Sequence, residues 1–93
     1  MRDAATGILL AASAGFAAVA TDGVIGVVET PLFPPDAREP DFLVLRVRVR
    51  SRTRRPIVST ALVEDVDPDR RVVLLGLSHT DVAGLPEHVP IAS

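Results

Sequence analysis

The sequence predicts an all-β domain: a small, partly open barrel of five to six strands with a short helical turn near its C-terminal end. Three observations carry this expectation. Val and Ile together number 18, against one Met and three Phe, and that weighting favours strands. Residues 42–52 alternate strictly, with Leu43, Leu45, Val47 and Val49 between Arg46, Arg48, Arg50 and Arg52. That is the period of two expected of a strand with one dry and one wet face. Turn signals recur about every 8–12 residues, as they do in small sandwiches and barrels, and at 93 residues closure into a barrel is favoured because it removes exposed edges.

The first charge-free stretch is residues 4–21, where Ile8, Leu9 and Leu10 lead into Ala-rich sequence ending at Ala20. It has the outline of a secretory signal. However, Arg2 is cancelled by Asp3, Ser13 and Gly15 break the apolar run, and cleavage after Ala20 would remove a strand that the next turn needs. The same dilution argues against a membrane span, which needs about 20 strongly apolar residues. Residues 1–15 are therefore expected to be retained as an N-terminal extension or extra strand, with a short helix the other way to fold them, and residues 16–90 to form the domain. A cytoplasmic location follows from that expectation.

Asp22-Gly23 between residues 16–20 and 24–29 predicts a tight hairpin turn, because Gly accepts positive φ. Gly26 inside the second strand predicts a bulge or a close backbone approach. Pro31, Pro34, Pro35 and Pro40 make residues 30–41 a stiff loop. Residues 42–52 are the clearest strand, Thr53-Arg54-Arg55 the turn after it, and Pro56 the lead into a strand over 57–60. Residues 61–63 are ambiguous, and Val66 lies in a brief strand. Asp67-Pro68-Asp69-Arg70 is placed as a type I turn. The apolar run 71–77 reads as a central strand. Ser78-His79-Thr80-Asp81 has capping-box spacing and predicts a short helix stopped by Gly84 or Pro86. Residues 88–93 are expected to add only a loose edge.

Several chemistries are excluded by residue type. With no Cys there is no disulfide, no thiolate nucleophile and no Cys-ligated metal. His79 and His88, with Asp81 and Glu87 nearby, match no standard zinc spacing. Ser78, His79 and Asp81 are too close in sequence to assemble as a triad, and no nucleophile elbow surrounds Ser78. Asp65, Asp67 and Asp69 imitate half of a calcium loop, but its sixth and twelfth positions hold Arg70 and Gly76 where Gly and Glu are required. No phosphate-cradling loop is present. No enzyme activity, metal, cofactor or small-molecule substrate is expected.

One feature has chemical content. The net charge is −2, yet residues 46–55 hold six Arg and no acid, while the other 83 residues hold four Arg and twelve acids. All basic residues are Arg, a bias typical of GC-rich codon usage. Along the 42–52 strand, Arg46, Arg48, Arg50 and Arg52 form a row about 20 Å long, followed by Arg54 and Arg55. Such a row either pairs with acids on neighbouring strands or meets an anionic partner. The candidate partner-binding residues are Arg46, Arg48, Arg50, Arg52, Arg54 and Arg55. No aromatic lies among them, which argues against stacked single-stranded bases and leaves RNA backbone or an acidic protein surface.

The order of these signals resembles a PRC-barrel domain. The carriers are residues 19–28 (Val-Ala-Thr-Asp-Gly-Val-Ile-Gly-Val-Val), Phe42-Leu43-Val44-Leu45-Arg46-Val47, Arg55-Pro56-Ile57-Val58, Leu62-Val63-Glu64-Asp65-Val66-Asp67, and Arg71-Val72-Val73-Leu74 with Leu77-Ser78 and Pro86. The similarity spans roughly residues 16–90. The 30–41 loop is longer and stiffer than the family pattern, and residues 1–15 have no counterpart. The resemblance implies a non-catalytic docking or assembly module that binds a protein partner or itself, with an RNA- or ribosome-associated adaptor as the alternative.

Overall fold

A computed structural model describes residues 4–88. The chain is mostly β, with seven strands in one open mixed sheet and two short helices. Helix α1 spans Ala4–Ala11, followed by β1 (Ala17–Ala20), β2 (Gly23–Leu32), β3 (Phe42–Val49), β4 (Arg52–Arg54) and β5 (Ile57–Ser59). A single 3-10 turn, Thr60–Leu62, leads into β6 (Val63–Asp67) and β7 (Val72–Leu75), and α2 covers His79–Ala83. The spatial order is β4-β3-β2-β1-β7-β6, with β5 also paired to β3. Every pairing is antiparallel except β1 with β7, which is parallel and makes the sheet mixed. Among the described residues no helix is long and apolar enough to cross a membrane.

One apolar cluster holds these elements together. Leu10 of α1, Ala18 of β1, Val28 of β2, Leu43 and Leu45 of β3, Val58 of β5, Val73 and Leu75 of β7 and Val82 of α2 all join it, each at most 4% exposed. The N-terminal stretch is thus a helix and not an extra strand. Its Ala, Ile and Leu content suits a helix, and Leu10 anchors it in the core. Ser13 ends it: its buried hydroxyl donates to the Leu10 carbonyl at 2.7 Å.

The strand count is seven rather than five to six because the segment expected as one strand, 42–52, is two. β3 stops at Val49. Arg50, at φ 59°, and Ser51 turn the chain, and β4 returns with Val49 opposite Arg52, Arg48 opposite Thr53 and Val47 opposite Arg54. The turn therefore lies two residues before Thr53-Arg54-Arg55. No Gly or Asn marks it, so the alternation runs through it unbroken.

Smaller corrections have similar causes. The first hairpin turns at Thr21-Asp22, and Gly23, at φ 130°, already pairs with Ala20. Strand β2 continues through Thr30, Pro31 and Leu32, so the loop begins at Phe33. Pro31 is tolerated because β1 accompanies β2 only as far as Val27, leaving one side of the strand open at that point. The turn after Asp67 forms as expected, with the Asp67 carboxylate accepting from the Asp69 and Arg70 amides at 3.0 and 3.1 Å. The capping box forms as well: Ser78 Oγ accepts from the Asp81 amide, and Asp81 Oδ2 accepts from the Ser78 amide, both at 3.1 Å. Residues 89–93, expected as a loose edge, lie outside the described residues.

Candidate docking surface

The basic segment is a hairpin that leaves the body of the sheet. The last β2–β3 pair is Val27 with Arg46. Beyond it β3 pairs only with β4. Gly26 stands at the point of departure, and a Cβ there would collide with the Arg46 carbonyl oxygen.

Folding the segment back on itself splits the expected row of four. Residues directly opposite in an antiparallel pair share a face. Arg46 and Arg48 therefore share the outer face with Thr53, Arg50 sits in the turn, and Arg52 lies with Val49 on the inner face. Arg46, Arg48, Arg50 and Arg52 are all exposed, and no acid among the described residues pairs with any of them.

The last two arginines are placed differently. Arg54 Nε lies 3.2 Å from Glu87 Oε1, and its Nη1 donates to the carbonyl of Ala83, the last residue of α2, at 3.3 Å. Arg55 Nε bonds both Glu29 oxygens, at 3.0 and 3.1 Å. Both are half-buried and internally paired. They tie the hairpin base to α2, to the segment after it and to β2. Six sequence candidates thus divide into four open cations and two structural ones.

Between the inner face of the hairpin and α2 runs a groove with a cavity of about 360 Å³. Its apolar floor comprises Ile25, Val47, Val49, Pro56 and Val82, with Thr80 on the helix side. It adjoins a second, polar hollow lined by Arg50, Arg52, Thr53, Arg54 and Glu87, and the two share Val49 and Arg54. Sequence inspection missed this groove. Val47 and Val49 read as the buried face of one strand over 42–52; Val47 does join the core, but Val49 is 46% exposed because its strand has left the sheet.

Sequence inspection also missed the pairing of His79 with Asp22, 57 residues apart. His79 Nδ1 lies 2.6 Å from Asp22 Oδ1, and the same oxygen accepts the His79 backbone N–H at 3.0 Å. The imidazole first, and the backbone N–H after it, hold the Asp22 carboxyl below its ordinary value. The pair fastens the β1–β2 turn to the start of α2, one wall of the groove. Ser78 and Asp81 are both committed to the helix cap, so the three neighbouring polar residues do not form a relay. Among the described residues no three His, Cys, Asp or Glu side chains gather to hold a metal ion.

No protein-family model matches the chain, and no match is found among curated proteins.

Proposed function

We propose that this chain is a PRC-barrel-like docking module, not an enzyme, that holds an anionic protein partner against its basic β3–β4 hairpin in the cytoplasm. The observation that carries this reading is the set of four exposed arginines, Arg46, Arg48, Arg50 and Arg52, with no acid paired to them among the described residues. In a chain of net charge −2, such a concentration of unneutralised positive charge supports an external anion as its counterpart. The resemblance over residues 16–90 supports assembly as the role.

A second reading, an RNA or ribosome adaptor, draws on the same arginines. The absence of aromatics from the hairpin weighs against base stacking and leaves phosphate contact alone.

Fluorescence anisotropy with labelled poly-glutamate and oligo-uridylate, at low and moderate salt, tests both. Protein docking expects poly-glutamate to bind and Arg48→Glu/Arg50→Glu to abolish that binding. Uridylate bound in preference, with a log–log salt slope that flattens by roughly 0.7 for each arginine–phosphate pair removed, would transfer the reading to RNA. Failure to bind either anion would overturn both.

A further inference from the structure

The groove adjoining the arginines is more specific than a charged surface. We infer that it accepts an acidic, apolar-bearing peptide segment of a partner protein, whose aliphatic side chains seat between Val49 and Val82 while its carboxylates meet Arg50 and Arg52. This rests on the docking reading above and narrows it to one face of the hairpin.

Three observations converge. First, the apolar floor and the cationic hollow are continuous through Val49 and Arg54, so one ligand touches both. A cavity of about 360 Å³ falls in the range of roughly 300–1,000 Å³ typical of ligand sites, enough for a few aliphatic side chains. Second, the charge on the hollow is unspent. Arg54 is already neutralised by Glu87, but Arg50 and Arg52 have no partner among the described residues. Third, Val49 is exposed beside these guanidiniums, so an aliphatic group bound next to a carboxylate would reach it.

The same features exclude other occupants. Two-fold self-association through this face would set arginine against arginine, since a symmetric interface repeats the same patch on both sides. Nucleic acid offers phosphates but no aliphatic group for the floor, and the ring that lines the groove, His79, is held by Asp22.

The test uses a fluorescein-labelled octapeptide, Glu-Leu-Glu-Glu-Leu-Leu-Glu-Glu, and a second with each Leu replaced by Ser at unchanged charge. The Leu peptide is expected to bind about tenfold or more tightly than the Ser peptide, because only it buries aliphatic groups. Arg50→Glu/Arg52→Glu should abolish binding. Arg46→Glu/Arg48→Glu, on the outer face, should change affinity by no more than about twofold at moderate salt, since their charges are then screened from the groove. Val49→Ser should weaken the Leu peptide and leave the Ser peptide unchanged. Thr80→Trp, which fills the groove from the exposed helix side, should do the same if Val49→Ser proves unstable. Equal binding of the two peptides, or equal losses from the two arginine pairs, would overturn the groove while leaving the docking reading intact. No binding of either peptide, of poly-glutamate or of uridylate would remove both.

Discussion

Gly26 lies directly against the Arg46 carbonyl oxygen, so closely that no side chain fits between them. This approach sits where β3 leaves β2 and the basic hairpin begins, so the space above Gly26 helps to set the hairpin's direction. Gly26→Ala should force the two backbones apart and destabilise the fold by about 1–3 kcal/mol, the usual cost of overpacking. Urea denaturation followed by far-UV circular dichroism measures this. An unchanged midpoint would show that β3 is free to shift at Arg46.

Leu10 ties the N-terminal helix to the core, with no exposed surface. Leu10→Ala should cost about 2–5 kcal/mol, as for other buried leucines. Ile8, on the same helix but 65% exposed, gives the internal control. Ile8→Ala should stay within about 0.5 kcal/mol. Equal effects of the two substitutions would mean that α1 does not pack as described.

Asp22 makes the fold sensitive to acid. Its carboxyl is held below the ordinary 3.8 in the folded chain, chiefly by the His79 imidazole. In the unfolded chain it protonates at the ordinary value. Between the two values the unfolded state binds more protons, so stability falls as pH falls. The contribution is fully present above the ordinary value and is lost as pH drops through the folded one. Thermal midpoints of wild type and Asp22→Asn, followed from about pH 6 down to pH 2, should converge as the pH falls. A gap of constant size would show that the charge of Asp22 plays no part.

Much of this fold is legible in the sequence because local chemistry and tertiary pairing agree. The Asp67 turn, the Ser78 capping box and the Gly84 stop each depend on residues near in sequence, and each forms where the residue types require. The close approach at Gly26 is legible from the glycine alone, although its partner, Arg46, lies on another strand. The turn at Arg50 is not legible. An arginine at φ 59° is an uncommon choice, and the alternation 42–52 continues through it without a break. What reverses the chain is pairing of β4 on β3, which periodicity does not encode. The six candidate arginines therefore stand out as a cluster in the sequence but are not on one face. Their division depends on that turn and on Glu29 and Glu87, which lie 26 and 33 residues away. Burial of the N-terminal helix is likewise invisible, since a charge-free Ala-rich stretch reads alike as signal, strand or helix.

The division of the arginines yields a contrast within one segment. Arg54 and Arg55 are bonded to Glu87 and Glu29. Reversing both to Glu removes two ion pairs and sets carboxylate against carboxylate. Their side chains are 34% and 40% exposed, so solvent screens much of the effect, and a combined loss of about 1–2 kcal/mol is expected. Each kcal/mol moves the midpoint of a domain this size by roughly 4–8 °C. Arg48 and Arg50 have no such partners among the described residues. Reversing them should leave the midpoint almost unchanged, since surface substitutions usually cost within about 0.5 kcal/mol. The unusual φ at Arg50 does not alter this, because Glu meets the same strain there as Arg. Calorimetry on the two double variants, at low salt and again at about 0.5 M, separates the effects. The Arg54/Arg55 loss should shrink with salt as screening weakens the repulsion. A large early melt of Arg48→Glu/Arg50→Glu would place these two arginines in the fold's own charge balance, and the docking surface would lose its open cations.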